Sequence, residues 1–181
     1  MKRNSTSFEK RLNKTFALSK FLMPTKLKIG MFSFTSCEGC FCNVLELLDE
    51  EHEGILKLLD IKSARLIQKK SEIKGLDVAF IEGSLATEKD IEKAKQIREN
   101  SKKVVLLGTC TIDGWPSTQR NNFLPEQKQA VALEVRRKGQ LAEILPPEKV
   151  IKVDLKLMGC PIDLKQFKES LNELFKEFGV N

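Results

Sequence analysis

Five cysteines and a single histidine stand in this 181-residue chain, and four of the cysteines lie in short motifs that carry glycine. Cys37 and Cys40 belong to Ser-Cys-Glu-Gly-Cys, Cys110 closes Gly-Thr-Cys, and Cys160 opens Cys-Pro after Met-Gly. Thiolates are nucleophiles, redox groups and soft metal ligands. Four of them can hold one iron–sulfur cluster or one structural zinc. A C-x-x-C pair can equally run thiol–disulfide exchange. Zinc sites usually bring two close pairs, whereas Cys110 and Cys160 are 50 residues apart. A cluster, thiol exchange, zinc and inert burial are therefore four open uses, and the cluster suits the spacing best. Gly39, Gly108 and Gly159 stand just before Cys40, Cys110 and Cys160. Glycine lets backbone come close to a bulky group and take up unusual φ. Cys42 sits two residues past Cys40, where a small apolar residue facing the core is expected in preference to a spare ligand.

Certain elements must position these thiols. Lys26–Phe34 is β-rich and predicts a first strand. Phe41 to about Leu59 predicts one helix, broken near Gly54. Ile61–Ile67, Asp77–Ile81, Lys103–Leu107 and Val150–Leu157 predict further strands, and the runs DVAFI and KVVLL suit strands buried on both faces. Helices are expected over Thr87–Asn100, capped by Thr87 with Asp90, over Glu126–Lys138, and over Asp163–Phe178, closed by Gly179. This alternation predicts an α/β fold, a parallel sheet with helices on both faces. On that map Cys37, Cys40, Cys110 and Cys160 all fall just past carboxyl ends of strands, the edge where open α/β sheets bind ligands. Helix N-termini after Cys40 and Cys160 would aim N–H groups at a negatively charged site.

Composition closes off other classes. Apolar residues make up 41%, enough for a core at this length. No apolar run approaches the ~18 residues of a membrane span. The net charge of +6 is spread without aromatic interleaving, so a nucleic-acid groove is not expected. Neither GxGxxG nor GxxxxGK[ST] occurs. An odd cysteine count without an export signal argues against a disulfide framework and for a cytoplasmic protein. Residues 1–25 read as a basic extension, helical if Phe8, Leu12, Phe16 and Met23 share one face, and residues 26–181 as one domain. The extension suits a surface helix, a partner-docking helix or an anchor on anionic headgroups.

The ordered strings SCEGCFCNVLELLDE, DVAFIEGS, VVLLGTCTIDGWPSTQRN and MGCP resemble the small subunit of nickel-iron hydrogenases. That superfamily includes the 20 kDa cluster-bearing subunit of NADH:quinone oxidoreductase. The resemblance runs from about Lys26 to Ile162. It implies a flavodoxin-like fold and one proximal 4Fe-4S cluster on Cys37, Cys40, Cys110 and Cys160. It also implies a role in relaying electrons, without bond chemistry on hydrogen. The implied partners are a nickel-iron large subunit, facing the cysteine edge, and a ferredoxin-like or flavin-containing electron carrier. Any membrane contact would be indirect. Glu82 and Gly83 match the family's Glu-Gly, and Glu82 is then a carboxylate behind the ligands or on a proton path, or else a solvated loop acid. Cys37-x-x-Cys40 departs from the adjacent cysteines of the quinone-oxidoreductase branch and is similar to sulfhydrogenase delta and methanogen-type gamma subunits. No cysteine follows Cys160, so one cluster is the expected limit. A subunit of a membrane-associated energy-converting complex is the neighbouring alternative. His52 lies in an acidic stretch and is expected at the surface, and Trp115 and Arg120 are either interface anchors or loop packing.

Overall fold

The computed structural model describes residues 26–50, 54–67 and 72–180. The expectations about the 1–25 extension and His52 fall outside those residues. The described chain runs β1 (Leu27–Ser33), α1 (Gly39–Glu50), α2 (Ile55–Leu58), β2 (Leu59–Ala64), β3 (Leu76–Glu82), α3 (Glu88–Glu99), β4 (Ser101–Leu107), α4 (Thr109–Ile112), a 3-10 turn (Ser117–Asn122), α5 (Pro125–Arg137), a second 3-10 turn (Pro147–Lys149), β5 (Leu155–Leu157) and α6 (Leu164–Phe178). The five strands form one sheet in the order β2-β1-β3-β4-β5, and every neighbouring pair is parallel. This is the flavodoxin-like winding, in which the chain reverses direction between β1 and β3.

Apolar patterning explains the layering. The inner strands carry side chains into two cores, as a sheet covered on both faces requires. On one face Met31, Phe80 and Leu107 meet Phe41, Val44 and Leu48 of α1 and Phe167, Leu171 and Phe175 of α6. On the other, Ala79, Ile81, Val104 and Leu106 meet Ala94 and Ile97 of α3. Helix α3 starts where predicted, with a reciprocal capping box between Thr87 and Asp90. Helix α6 starts at Asp163, whose carboxylate accepts from Lys165 N and Gln166 N, and ends at Gly179 with φ +65°.

Two expectations shift. The helix predicted over Phe41–Leu59 with a break near Gly54 is described over Gly39–Glu50 and over the single turn Ile55–Leu58, and β2 begins at Leu59, two residues early. Leu59 is drawn out of the helix because it pairs with Leu27 at the start of β1. The last strand, expected from Val150, is only Leu155–Leu157. Pro147 opens a 3-10 turn there, and the Asp154 side chain, not a strand carbonyl, accepts from Val104 N at 2.8 Å. A side chain standing in for the backbone ladder leaves Val150–Val153 free to bend, and Ile151 packs into the second core.

Candidate functional site

Four parallel strands, β1, β3, β4 and β5, deliver their carboxyl ends to one edge, and the loops there are stitched together by backbone hydrogen bonds. After β1, Phe34 N donates to Glu82 O at 2.8 Å, and Thr35 and Ser84 exchange two bonds of 3.0 and 3.1 Å. The chain then turns through Cys37 and Glu38, whose φ of +60° is the one positive value on a non-glycine among the described residues. It enters α1 at Gly39, so Cys40 and Phe41 lie in a first helical turn, whose amides have no partner within the helix. Past β4, Gly108 N donates to Leu157 O at 2.8 Å and Thr109 N to Gly159 O at 2.9 Å. Those two bonds tie the Cys110 loop to the Cys160 loop.

Glycines keep space open beside three of the thiols. A Cβ on Gly108 would fall 2.8 Å from Cys40 Sγ, 3.5 Å from Gly159 O and 3.8 Å from Cys110 Sγ. A Cβ on Gly39 would fall 3.3 Å from Cys37 Sγ. Cys40 is buried, Cys110 is partly buried, and Cys37 and Cys160 are exposed, all as free thiols. Burial pushes the Cys40 thiol up to about 12, opposed by the Ile162 backbone amide and reinforced by Glu82, Cys110 and Cys37. Burial likewise pushes the Cys110 thiol up; the Thr111 hydroxyl opposes it, and Glu82, Cys37 and Cys160 add to it. Cys110 therefore sits in the fields of Cys37 and Cys160, and Cys40 in those of Cys110 and Cys37. Cys40 is shifted the wrong way for the attacking group of a thiol–disulfide exchanger, which needs a lowered value. A metal centre would displace these protons on binding.

Glu82 is completely buried at the end of β3. Its two carboxylate oxygens accept from Cys40 N at 3.3 Å and Phe41 N at 3.0 Å. Burial pushes its carboxyl up, while the Phe41 and Cys40 amides pull it down. It is thus the cap of α1 and an inner wall of the thiol site, not a solvated loop acid. Gly83 follows with φ +96°, and any Cβ there would lie 2.8 Å from the Thr35 carbonyl.

Thr111 is a residue that the sequence reading missed. Its buried hydroxyl accepts from Gly83 N at 2.6 Å and donates to Leu107 O at 2.5 Å, which binds the β3 end to the Cys110 turn. A hydroxyl directly after Gly-x-Cys, four residues beyond a strand's last carbonyl, was the signal available.

Other expectations resolve simply. Cys42 is exposed, not core-facing, because two residues along a helix is a rotation of about 200° from buried Cys40. Arg120 serves loop packing: it donates to Gln140 Oε1 at 2.5 Å and Leu141 O at 2.6 Å. Trp115 stays 55% exposed beside the Cys110 turn. Among the described residues, no three His, Cys, Asp or Glu side chains are grouped as ligands of a single ion. Among them, too, no helix is long and apolar enough to cross a membrane. The donor set is four free thiols and no histidine, with Cys40 and Cys110 beside the space that Gly108 leaves free, and it fits a thiolate-bound iron–sulfur group.

Residues 37–174 match the family described as the NADH ubiquinone oxidoreductase, 20 Kd subunit. The chain belongs to that family. Among curated members, it is 28% identical over 153 residues to the sulfhydrogenase 2 subunit delta of Pyrococcus furiosus, covering 83% of this chain and 62% of that one. It is 31% identical over 158 residues to a subunit of the vhu F420-non-reducing hydrogenase of Methanocaldococcus jannaschii, covering 80% of this chain and 54% of that one. The chain thus spans little more than half the length of these relatives. In fold it matches a chain of an NAD+-reducing [NiFe]-hydrogenase, with a TM-score of 0.71 and 23% identity, covering 84% of this chain and 92% of that one. The similarity is to hydrogenase subunits within the family.

Proposed function

We propose that this chain is the electron-transfer small subunit of a nickel-iron hydrogenase, with one 4Fe-4S cluster held by Cys37, Cys40, Cys110 and Cys160. The observation that supports it best is that four free thiols stand on loops at the carboxyl edge of the sheet, with Cys40 and Cys110 against the Cβ-free side of Gly108 and Cys37 against that of Gly39. When bound, such a cluster supplies a one-electron carrier. The chain's own residues would do the holding. Gly39 and Gly108 leave room, Glu82 fixes the α1 turn that carries Cys40, and the Gly108 and Thr109 amides lock two cysteine loops together. The exposed Cys37, Cys160, Trp115 and Met158 lie on the face offered to a large subunit. No bond chemistry on hydrogen is assigned to this chain.

The relatives named as hydrogenase subunits support the assignment of partner. A second carrier, ferredoxin-like or flavin-containing, would exchange electrons with the cluster. Residues 26–181 would form the one iron–sulfur domain, residues 1–25 an extension to it, and the assembly would work in the cytoplasm. Serine substitutions test the ligand set. Cys110→Ser and Cys160→Ser, reconstituted anaerobically, should each lower iron per chain as severely as Cys37→Ser. Full iron in either of the first two would return the C-x-x-C pair to thiol chemistry.

A further inference from the structure

Thr111 is fully buried next to Cys110, and its hydroxyl has three neighbours for one proton and two lone pairs. It donates to Leu107 O at 2.5 Å and accepts from Gly83 N at 2.6 Å. The third neighbour is Cys110 Sγ at 3.8 Å. While Cys110 is a thiol the arrangement closes, because the S–H fills the second lone pair. When Cys110 is a deprotonated ligand, the sulfur and the oxygen face each other with lone pairs only. Rotation about the Thr111 C–O bond then moves the hydroxyl proton from a neutral carbonyl to an anionic sulfur. Hydrogen bonds to charged acceptors are about twice as strong as neutral ones. The carbonyl left behind loses its hydroxyl donor, an under-satisfaction that buried C=O groups show somewhat more often than buried N–H groups.

We propose that, once Cys110 is a ligand, the Thr111 hydroxyl donates to Cys110 Sγ and raises the reduction potential of the group it helps to hold. The inference rests on the cluster reading above. A donor to a ligand sulfur stabilises the more negative, reduced state, and so favours reduction. Thr111 is a positioning residue, acting through Cys110, and nothing in the family match or the relatives' names assigns it a role.

The test compares the full chain with Thr111→Val, which keeps the shape and loses the hydroxyl, and Thr111→Ser, which keeps the hydroxyl. Each is reconstituted anaerobically, assayed for iron and sulfide, and titrated for potential by EPR. All three should load equally, with the valine chain at a more negative potential and the serine chain at the wild-type value. Equal potentials in the valine and wild-type chains, or a serine chain displaced as far as valine, would overturn the proposal. If the valine chain does not fold, Thr111→Ala takes its place under the same two outcomes. A folded variant that holds no iron, or failure of both variants to fold, makes the hydroxyl a structural brace and also overturns it. A wild-type chain that holds no iron is a separate result, which removes the cluster reading before any variant is compared.

Discussion

Gly108→Ala is the sharpest perturbation of the site, because two costs fall on one methyl group. The backbone at Gly108 has φ +86° and ψ 154°, a region essentially reserved for glycine, and a side chain there costs about 1–3 kcal/mol. The added Cβ would also fall 2.8 Å from Cys40 Sγ, closer than carbon and sulfur tolerate. Cys40 cannot swing away freely, since its amide is held by Glu82 and its α1 neighbours Phe41 and Val44 are locked in the core. Gly75→Ala separates the two costs: Gly75 has φ +68° with nothing within 4 Å of its would-be Cβ. It should lose only the backbone part, roughly 1–2 kcal/mol. Urea unfolding of the metal-free chains, with slopes of about 1–3 kcal/mol per molar, reads both losses as a lowered midpoint. The Gly108→Ala midpoint should fall further than that of Gly75→Ala, and only Gly108→Ala should fail to load iron. A Gly108→Ala chain that loads fully at the wild-type midpoint would refute the claim that the Cβ-free side of Gly108 is the space the site needs.

Further expectations follow from neighbouring residues. Glu82→Gln leaves one acceptor for two α1 amides and turns an NH2 toward the other, so it should cost about 1–3 kcal/mol in unfolding and reduce iron loading; unchanged stability and loading would remove Glu82 from the site. Cys42→Ser, at an exposed position, should leave iron and sulfide per chain unchanged, and a loss would make Cys42 a ligand. Asp154 is partly buried, which pushes its carboxyl up, but Val104 N–H and the Arg98 guanidinium outweigh this and hold it below the usual range. A lowered folded value means stability that is present above the unfolded value near 3.9 and is lost as pH falls through the folded one. Asp154→Ala should therefore destabilise the chain at pH 7, with the gap to wild type narrowing in acid, as urea unfolding at pH 7 and at acid pH would show. A gap that widened in acid would contradict that sign.

The gathering of cysteines at one sheet edge was legible because it needs only strand ends and positions. Runs such as DVAFI and KVVLL mark buried parallel strands without help from tertiary context, and Cys110 and Cys160 follow strands directly. What stayed hidden depends on partners far along the chain. The Asp154 carboxylate replaces a ladder bond to Val104, so the apolar pattern of Val150–Val153 reads as strand while the backbone bends. Leu59 leaves a helical pattern because Leu27 offers it a strand partner. The role of Thr111 requires Gly83, 28 residues earlier, to arrive at its hydroxyl. Glu82 was visible as a match to Glu-Gly, but its grip on the α1 amides depends on the close approach of β1 and β3. Cys42 differs for a local reason: its angle on the helix outweighs the preference of its residue type for the core.

The central claim is that four thiols hold one iron–sulfur cluster, and it is tested most directly by iron and acid-labile sulfide in the anaerobically reconstituted wild-type chain, with EPR after dithionite reduction. The account predicts about four iron and four sulfide per chain and a reduced-cluster signal. Zinc without sulfide, or no metal after reconstitution, would contradict it.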